Sequence, residues 1–368
     1  MTTKSVDRTL LIIVIALVTI GFLIFSSASL GLLAREGARF SSVAFSQLVF
    51  GIIGGSLALF ITSSIYYRNW RKFAFYIFLA TIFLTLMVFI PGLGFSHGGA
   101  TRWISIGSFT FQPAEVLKIG FIIYMATWLS GVQKQIQTWR YGTLPFVGLL
   151  GGVGIVMLLQ PDTDTYAIMV AAATAMFLVA GGRWRDVAIL GVVGITMVVI
   201  LALNRPYVMD RLTAFMDPNI DPQGSSYQIQ QSLIAVGSGG VAGRGFGQSI
   251  QKFEYLPEPI GDSIFAVYSE EFGFIGSVLL IGLLTFFTFR GYKIASQSKD
   301  LFGMLLVVGF MTLIALQAFL NIAGMLALAP LSGLTLPFIS HGGTALLATL
   351  ASVGIVLNVS KYSKRVVK

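Results

Sequence analysis

The stretch Tyr255-Leu-Pro-Glu258-Pro259-Ile-Gly-Asp262-Ser-Ile-Phe-Ala266 joins two unlike kinds of sequence. Before it, residues 204–262 crowd together Gly, Pro and Asp; after it comes a long apolar run. The junction delivers the carboxylate of Asp262 to the very start of a helix, which can hold an acid at a fixed height. A long polar segment feeding straight into an apolar helix is the signature of a loop outside a membrane, and the chemistry is expected there.

The rest of the chain agrees. Of its 368 residues, 55% are hydrophobic and 11% charged, and the mean hydropathy is +0.84. The apolar residues come in runs, not in amphipathic stripes, which excludes a soluble globule. A helix needs about 20 apolar residues to cross roughly 30 Å of hydrocarbon. Ten such runs occur, near 9–30, 43–65, 73–91, 113–130, 143–160, 164–181, 186–203, 263–289, 301–327 and 342–360. The expectation is an all-α integral membrane protein, 1–368 forming a single polytopic domain, with 204–262 as one large loop before the eighth helix. The first run lacks a small-residue cleavage site and reads as a retained span. With no Cys, disulfides and thiolate metal sites are excluded.

Lys and Arg crowd one alternating set of span ends: Lys4 and Arg8, Arg68, Arg71 and Lys72, Lys134 and Arg140, Arg183 and Arg185, Arg290, Lys293 and Lys299, and the C-terminal group from Lys361 to Lys368. By the positive-inside rule both termini are cytoplasmic and the 204–262 loop is extracytoplasmic. Its acids Asp210, Asp217, Asp221, Glu254, Glu258 and Asp262 outnumber its bases. The net charge of +9 is thus an orientation signal and does not imply nucleic acid.

Within the loop, Asp217-Pro218 and Asp221-Pro222 are turn signals, and residues 226–236 have helical spacing ending at Gly237. The run Gly237-Ser-Gly-Gly240-Val-Ala-Gly243-Arg244-Gly245-Phe-Gly247 could let backbone N–H groups approach an anion, or serve as a flexible turn. Without a preceding strand it is not a nucleotide-binding loop. Asp262 reads equally as a helix N-cap and as a general base, metal ligand or hydroxyl-positioning group. Its ionised form suits a helix N-terminus, so it is a weak base unless burial raises its pKa.

Elsewhere, Glu115 and Lys118 stand three apart on one face of the fourth span, either as an internal ion pair or as cavity-lining groups. Asp162 and Asp164, in Gln160-Pro-Asp-Thr-Asp, offer hard oxygen donors suited to Mg or Mn. With Asp262 they form the candidate metal set. His97 and His341 are isolated and read as loop hydrogen-bonding residues, and Ser249-x-x-Lys252 reads as a chance match to a penicillin-binding motif.

Taken together, Ala100-Thr-Arg102-Trp103-Ile, Phe111-Gln-Pro-Ala-Glu115, Gln160-Pro-Asp162, Arg183-Trp-Arg-Asp186, Tyr255-Leu-Pro-Glu258, Glu270-Glu271-Phe-Gly-Phe-Ile-Gly276 and Gly333-Leu-Thr-Leu-Pro-Phe-Ile-Ser340 resemble the SEDS family (shape, elongation, division and sporulation) across essentially the whole chain. Gly333-Leu-Thr335-Leu-Pro and Lys252-Phe-Glu254-Tyr-Leu-Pro look like its division branch; the elongation branch typically has Pro in place of Thr335. The resemblance implies a glycosyltransferase that polymerises lipid II outside the bacterial cytoplasmic membrane, with a class B penicillin-binding protein and other divisome membrane proteins as partners. It carries a catalytic aspartate onto Asp262, an important outer-loop glutamate onto Glu254, and a buried acid and base onto Glu115 and Lys118. Departures stand at Thr163 and Asp164, at Gly261 and Ser263, and at His341.

Lipid II brings a pyrophosphate leaving group, so cationic stabilisation and a carboxylate near the attacking hydroxyl are needed. Arg102, Arg211, Arg244 and Lys252, with Glu254 and Glu258, are the expected substrate-binding residues, with a divalent cation as the cofactor and no organic cofactor. The rival classes are a flippase for the lipid-linked precursor, which no clear inverted repeat or pair of broken helices favours, and a non-catalytic scaffold for the transpeptidase.

Overall fold

The computed structural model describes residues 5–35, 37–97, 100–106, 109–204, 206–217, 224 and 226–363. Helix α1 (Arg8–Arg35) is followed by α2 (Gly37–Ser46), which passes through a π-helical stretch, Gln47–Gly54, into α3 (Gly55–Ser64). Then come α4 (Tyr67–Leu86), α5 (Pro113–Gly131), α6 (Leu144–Leu159), α7 (Thr163–Val179) and α8 (Trp184–Asn204). The second half holds α9 (Pro206–Met216), α10 (Tyr227–Ser238), α11 (Gln251–Glu254), α12 (Ile264–Ser296), α13 (Leu301–Met325) and α14 (Gly343–Tyr362). Every expected span falls on helix. Among the described residues nine helical segments are long and apolar enough to cross a membrane, and α7, with 17 residues, is shorter.

Burial ranks the helices. The apolar window of α13 is 83% buried and that of α14 78%, whereas that of α8 is 12% buried. Helix α13 is therefore the axis of the bundle, packed on α5, α7, α12 and α14, and α8 lies on its rim.

Hydrogen bonds sort the connections into two groups. At one end Arg290 Nη2 meets Asp7 Oδ2 at 2.7 Å, Arg68 Nη2 meets Asp300 Oδ2 at 2.6 Å, and Tyr67 N donates to Asn358 Oδ1 at 2.8 Å. At the other, Arg211 pairs with Asp164 and the chain around Asp262 meets the α13–α14 connection. Each of these contacts joins connections that the charge pattern assigns to the same side.

Three features depart from the expected all-α pattern. The 94–111 segment forms a small antiparallel sheet, β1 (Gly94–His97), β2 (Ala100–Ile106) and β3 (Phe109–Phe111), with Ile104 opposite both Gly94 and Phe111. The flanking strands have only 4 and 3 residues, and Ala100–Ile106 does not alternate strictly between apolar and polar, so periodicity does not set them apart from a loop. Helix α9 occupies part of the expected loop, and the helix expected at 226–236 is α10. The turn residues Pro218, Asp221 and Pro222 and the side chains of His97 and Glu254 lie outside the described residues.

The third departure is a break in α12. Gly273 has φ 66 and ψ −163, a region open essentially to glycine alone. The glycine run fills the gap: Arg244 N donates to Glu270 O and Gly245 N to Glu271 O at 3.0 Å each, while Gly240 O accepts from Phe274 N at 2.9 Å and Val241 O from Ile275 N at 3.2 Å. A Cβ on Gly243 would stand 2.1 Å from Glu271 O. The run is therefore neither an anion cradle nor a free turn but the complement of a broken helix. Its bonds satisfy backbone groups that the apolar surroundings could not.

Candidate active site

The Asp262 carboxylate is half-buried at the loop to helix junction. It does not cap α12, whose N-cap is Ser263. Its Oδ1 instead accepts from Gln228 Nε2 of α10 at 3.2 Å, and the same amide donates to Ser263 Oγ at 2.9 Å. The capping role is thus corrected, and the carboxylate stays available to a substrate. Withdrawal from water pushes its pKa up to about 6; the Gln228 bond and the Arg211 charge act against the rise, and the Glu258 charge adds to it. Glu258 is exposed and takes the left-handed conformation, φ 45, which turns the chain toward Asp262.

The cations expected to meet phosphate differ in availability. Lys252 is 1% exposed; its Nζ donates to Glu271 Oε1 at 2.7 Å, Gly247 O at 2.8 Å and Ser27 Oγ at 2.9 Å. Arg244 Nε lies 3.4 Å from Glu270 Oε1. Glu270 also accepts from Ser249 Oγ at 2.6 Å and from Ile250 N and Gln251 N. Both bases thus neutralise the two buried acids beside the helix break, and Lys252 would reach a substrate only by leaving a buried partner charged. Arg102 donates to Gln160 O and Pro161 O and lies 3.7 Å from Asp162. Arg211 and Arg244 remain partly exposed, with side chains 33% and 38% accessible, and Arg211 is the one whose charge reaches Asp262.

The candidate metal residues are separately engaged. Asp162 is buried and accepts from Thr165 N at 3.4 Å as the cap of α7, and burial pushes its carboxyl above the usual range. Asp164 Oδ2 accepts from Arg211 Nη1 at 2.7 Å and Gly333 N at 3.2 Å. Among the described residues no three His, Cys, Asp or Glu side chains gather as a metal group. The residues present do not fit a protein-built cage around Asp162, Asp164 and Asp262.

Glu115 and Lys118 do pair. Both are 5% exposed, and Lys118 Nζ lies 2.9 Å from Glu115 Oε1 and 2.9 Å from Gln317 Oε1. The sequence reading missed Gln228, Gln317, Asn321 and Ser340, which hold this region. Gln317 and Asn321 carried a usable signal, since amides in a span otherwise apolar face the protein interior.

A multi-pass helical membrane protein, with a half-buried carboxylate of raised pKa where a loop enters a span, is the class that fold and site define. Residues 8–365 match the model of the FtsW/RodA/SpoVE family of cell cycle proteins, and the chain belongs to that family. Stage V sporulation protein E of Bacillus subtilis (strain 168) is 41% identical over 366 residues, covering 99% of this chain and 100% of that protein. A protein of Geobacter sp. (strain M18) named "Probable peptidoglycan glycosyltransferase FtsW" is 37% identical over 360 residues, 97% of each. Among solved structures, a chain from a peptidoglycan synthase complex that coordinates polymerization and crosslinking superposes with a TM-score of 0.78 at 26% identity, covering 96% of this chain and 97% of that one. The rod shape determining protein RodA of Thermus thermophilus superposes with a TM-score of 0.70 at 26% identity over 98% of each chain.

Proposed function

We infer that this chain is a peptidoglycan glycosyltransferase that polymerises lipid II at the outer face of the bacterial cytoplasmic membrane. In this reading α7 is the tenth span, both termini are cytoplasmic, and Asp262 stands on the extracytoplasmic side. The observation that carries it is the Asp262 carboxylate, raised to about 6 and not engaged as a helix cap. Such a group is ionised at neutral pH yet basic enough to take a proton. The peptidoglycan glycosyltransferase activity named for relatives such as the Geobacter protein supports glycan polymerisation, and lipid II is the substrate this reading assigns to it.

In the reaction the acceptor sugar's 4-hydroxyl attacks the anomeric carbon of the donor. The new C–O bond forms as the bond to pyrophosphate breaks; the polyprenyl pyrophosphate leaves with the electron pair, and Asp262 receives the hydroxyl proton. One inverting displacement suffices, with no covalent glycosyl intermediate. Arg211 faces the departing phosphates, exchanging part of its contact with Asp164 for them. A divalent ion, Mg or Mn, would arrive with the pyrophosphate and be held mainly by its oxygens, as Mg is in phosphate-binding sites. No step above depends on it.

The likeness to a chain of a synthase complex that polymerises and crosslinks supports a class B penicillin-binding protein as partner, beside other division membrane proteins. The 41% identity to a sporulation protein favours a second process, so the chain serves septal growth in division or in sporulation. Purified protein given labelled lipid II should yield glycan chains without a partner. Failure to polymerise even with a class B penicillin-binding protein present would leave a flippase or scaffold instead. A fluorescent fusion that followed neither septum would remove the division and sporulation roles.

A further inference from the structure

We propose that Gln317 and Asn321, one helical turn apart on α13, are positioning residues that fix the main chain carrying Asp262 and link it to the buried Glu115 and Lys118 pair. The proposal rests on reading Asp262 as the base. Its ground is two sets of hydrogen bonds from the most buried helix of the bundle that meet on the adjoining Leu334 and Thr335 carbonyls.

The orientation of each amide is dictated by its neighbours. Lys118 offers only donors, so it selects Gln317 Oε1, at 2.9 Å. That turns Gln317 Nε2 toward Thr335, where the backbone carbonyl accepts at 3.0 Å and Oγ1 at 3.2 Å. Flipping the amide would set NH2 against an ammonium. Four residues on, Asn321 Nδ2 donates to Leu334 O and to Asp262 O, each at 2.8 Å. Both amide hydrogens are used, and a flipped amide would face two carbonyls with a third.

The 334–335 backbone is thereby gripped at two successive carbonyls. The same segment returns the grip on the junction. Ser340 Oγ accepts from Leu336 N at 2.8 Å and donates to Gly261 O at 2.6 Å, and His341 N donates to Ile260 O at 2.7 Å. Three consecutive carbonyls, Ile260, Gly261 and Asp262, are held from α13 and its following loop. No bond in this set touches the Asp262 carboxylate, so it acts on where the base stands and not on its chemistry. Lys118 acts from within the bundle by fixing the Gln317 amide.

The test measures polymerisation against lipid II concentration and pH, for protein in detergent normalised to its folded fraction. Asn321→Ala should lower kcat about 100-fold, the scale of an ångström misplacement of a catalytic group, with KM within about twofold and the pH midpoint unmoved. Gln317→Glu keeps the acceptor for Lys118 and loses the donor to Thr335. It should lower kcat in the same manner, and it carries the test if Asn321→Ala does not fold. Lys118→Met should lower kcat in the wild-type background and lower it by a smaller factor in Gln317→Met, since the two share one link while Lys118 also holds Glu115. A wild-type kcat in Asn321→Ala or Gln317→Glu, a loss confined to KM, or additive Lys118 and Gln317 effects would overturn the proposal. An inactive wild type would instead sink the catalytic reading of Asp262 and the proposal with it.

Discussion

Arg211 Nη1 stands 2.7 Å from Asp164 Oδ2, and that same oxygen accepts the N–H of Gly333 at 3.2 Å. One carboxylate at the head of α7 therefore ties α9 to the loop that grips the Asp262 junction. The Arg211 side chain is 33% exposed, so the pair contributes about 1 kcal/mol or less to stability. Its consequence is placement: a cation is held near the base, where a leaving pyrophosphate can take it over.

Asp164→Asn should accordingly lower polymerisation at every magnesium concentration without changing the concentration that gives half the maximal rate. A titration of activity against magnesium, from EDTA-treated protein upward, measures this. A raised half-saturation point would make Asp164 a ligand of the ion and restore the metal role that the Arg211 contact argues against.

Replacing Asp262 by Asn should abolish polymerisation while leaving insertion and thermal stability at pH 8 intact. Burial makes the ionised carboxylate the costly form here, so removing its charge relieves desolvation and takes nothing from the core. Glycan synthesis near the wild-type rate would rule out the base assignment.

The pH profile follows from the same shift. A base must be deprotonated to act, and the Asp262 pKa is raised from the usual carboxylate value to about 6. Activity should fall on acidification through a midpoint near 6 and be nearly full at 7.5. Initial rates between pH 5 and 8 would show it; a flat profile across that range contradicts a base with this pKa.

Glu115→Gln should strip the buried Lys118 ammonium of its carboxylate partner, leaving only Gln317. Breaking a buried pair costs about 3 to 5 kcal/mol, so the melting temperature in detergent should drop along with activity. Lost activity at an unchanged melting temperature would move Glu115 from the scaffold into the reaction.

At the helix break, Gly273→Ala should destabilise strongly, because its Cβ would lie 2.3 Å from Gly243 N and its φ is 66. In the same helix, a Cβ added at Gly282 would meet nothing within 4 Å, and Gly282→Ala should be neutral or slightly stabilising. Paired melting curves would decide it, and equal behaviour of the two variants would mean that the break does not organise the fold.

The sequence by itself determined the membrane class and where the apolar helices fall, because these rest on composition, which acts residue by residue. It also singled out Asp262 and the pairing of Glu115 with Lys118, the first from its junction and the second from helical spacing. Only the tertiary structure decided what each charge faces. Lys252 and Arg244 look like phosphate ligands in a loop, yet the break at Gly273 brings Glu271 and Glu270 against them. Asp262 looks like a cap, yet Gln228, 34 positions away in the chain, draws its carboxylate aside. Burial, the partner of a charge and the orientation of an amide are set by segments distant in sequence, and local pattern carries no record of them.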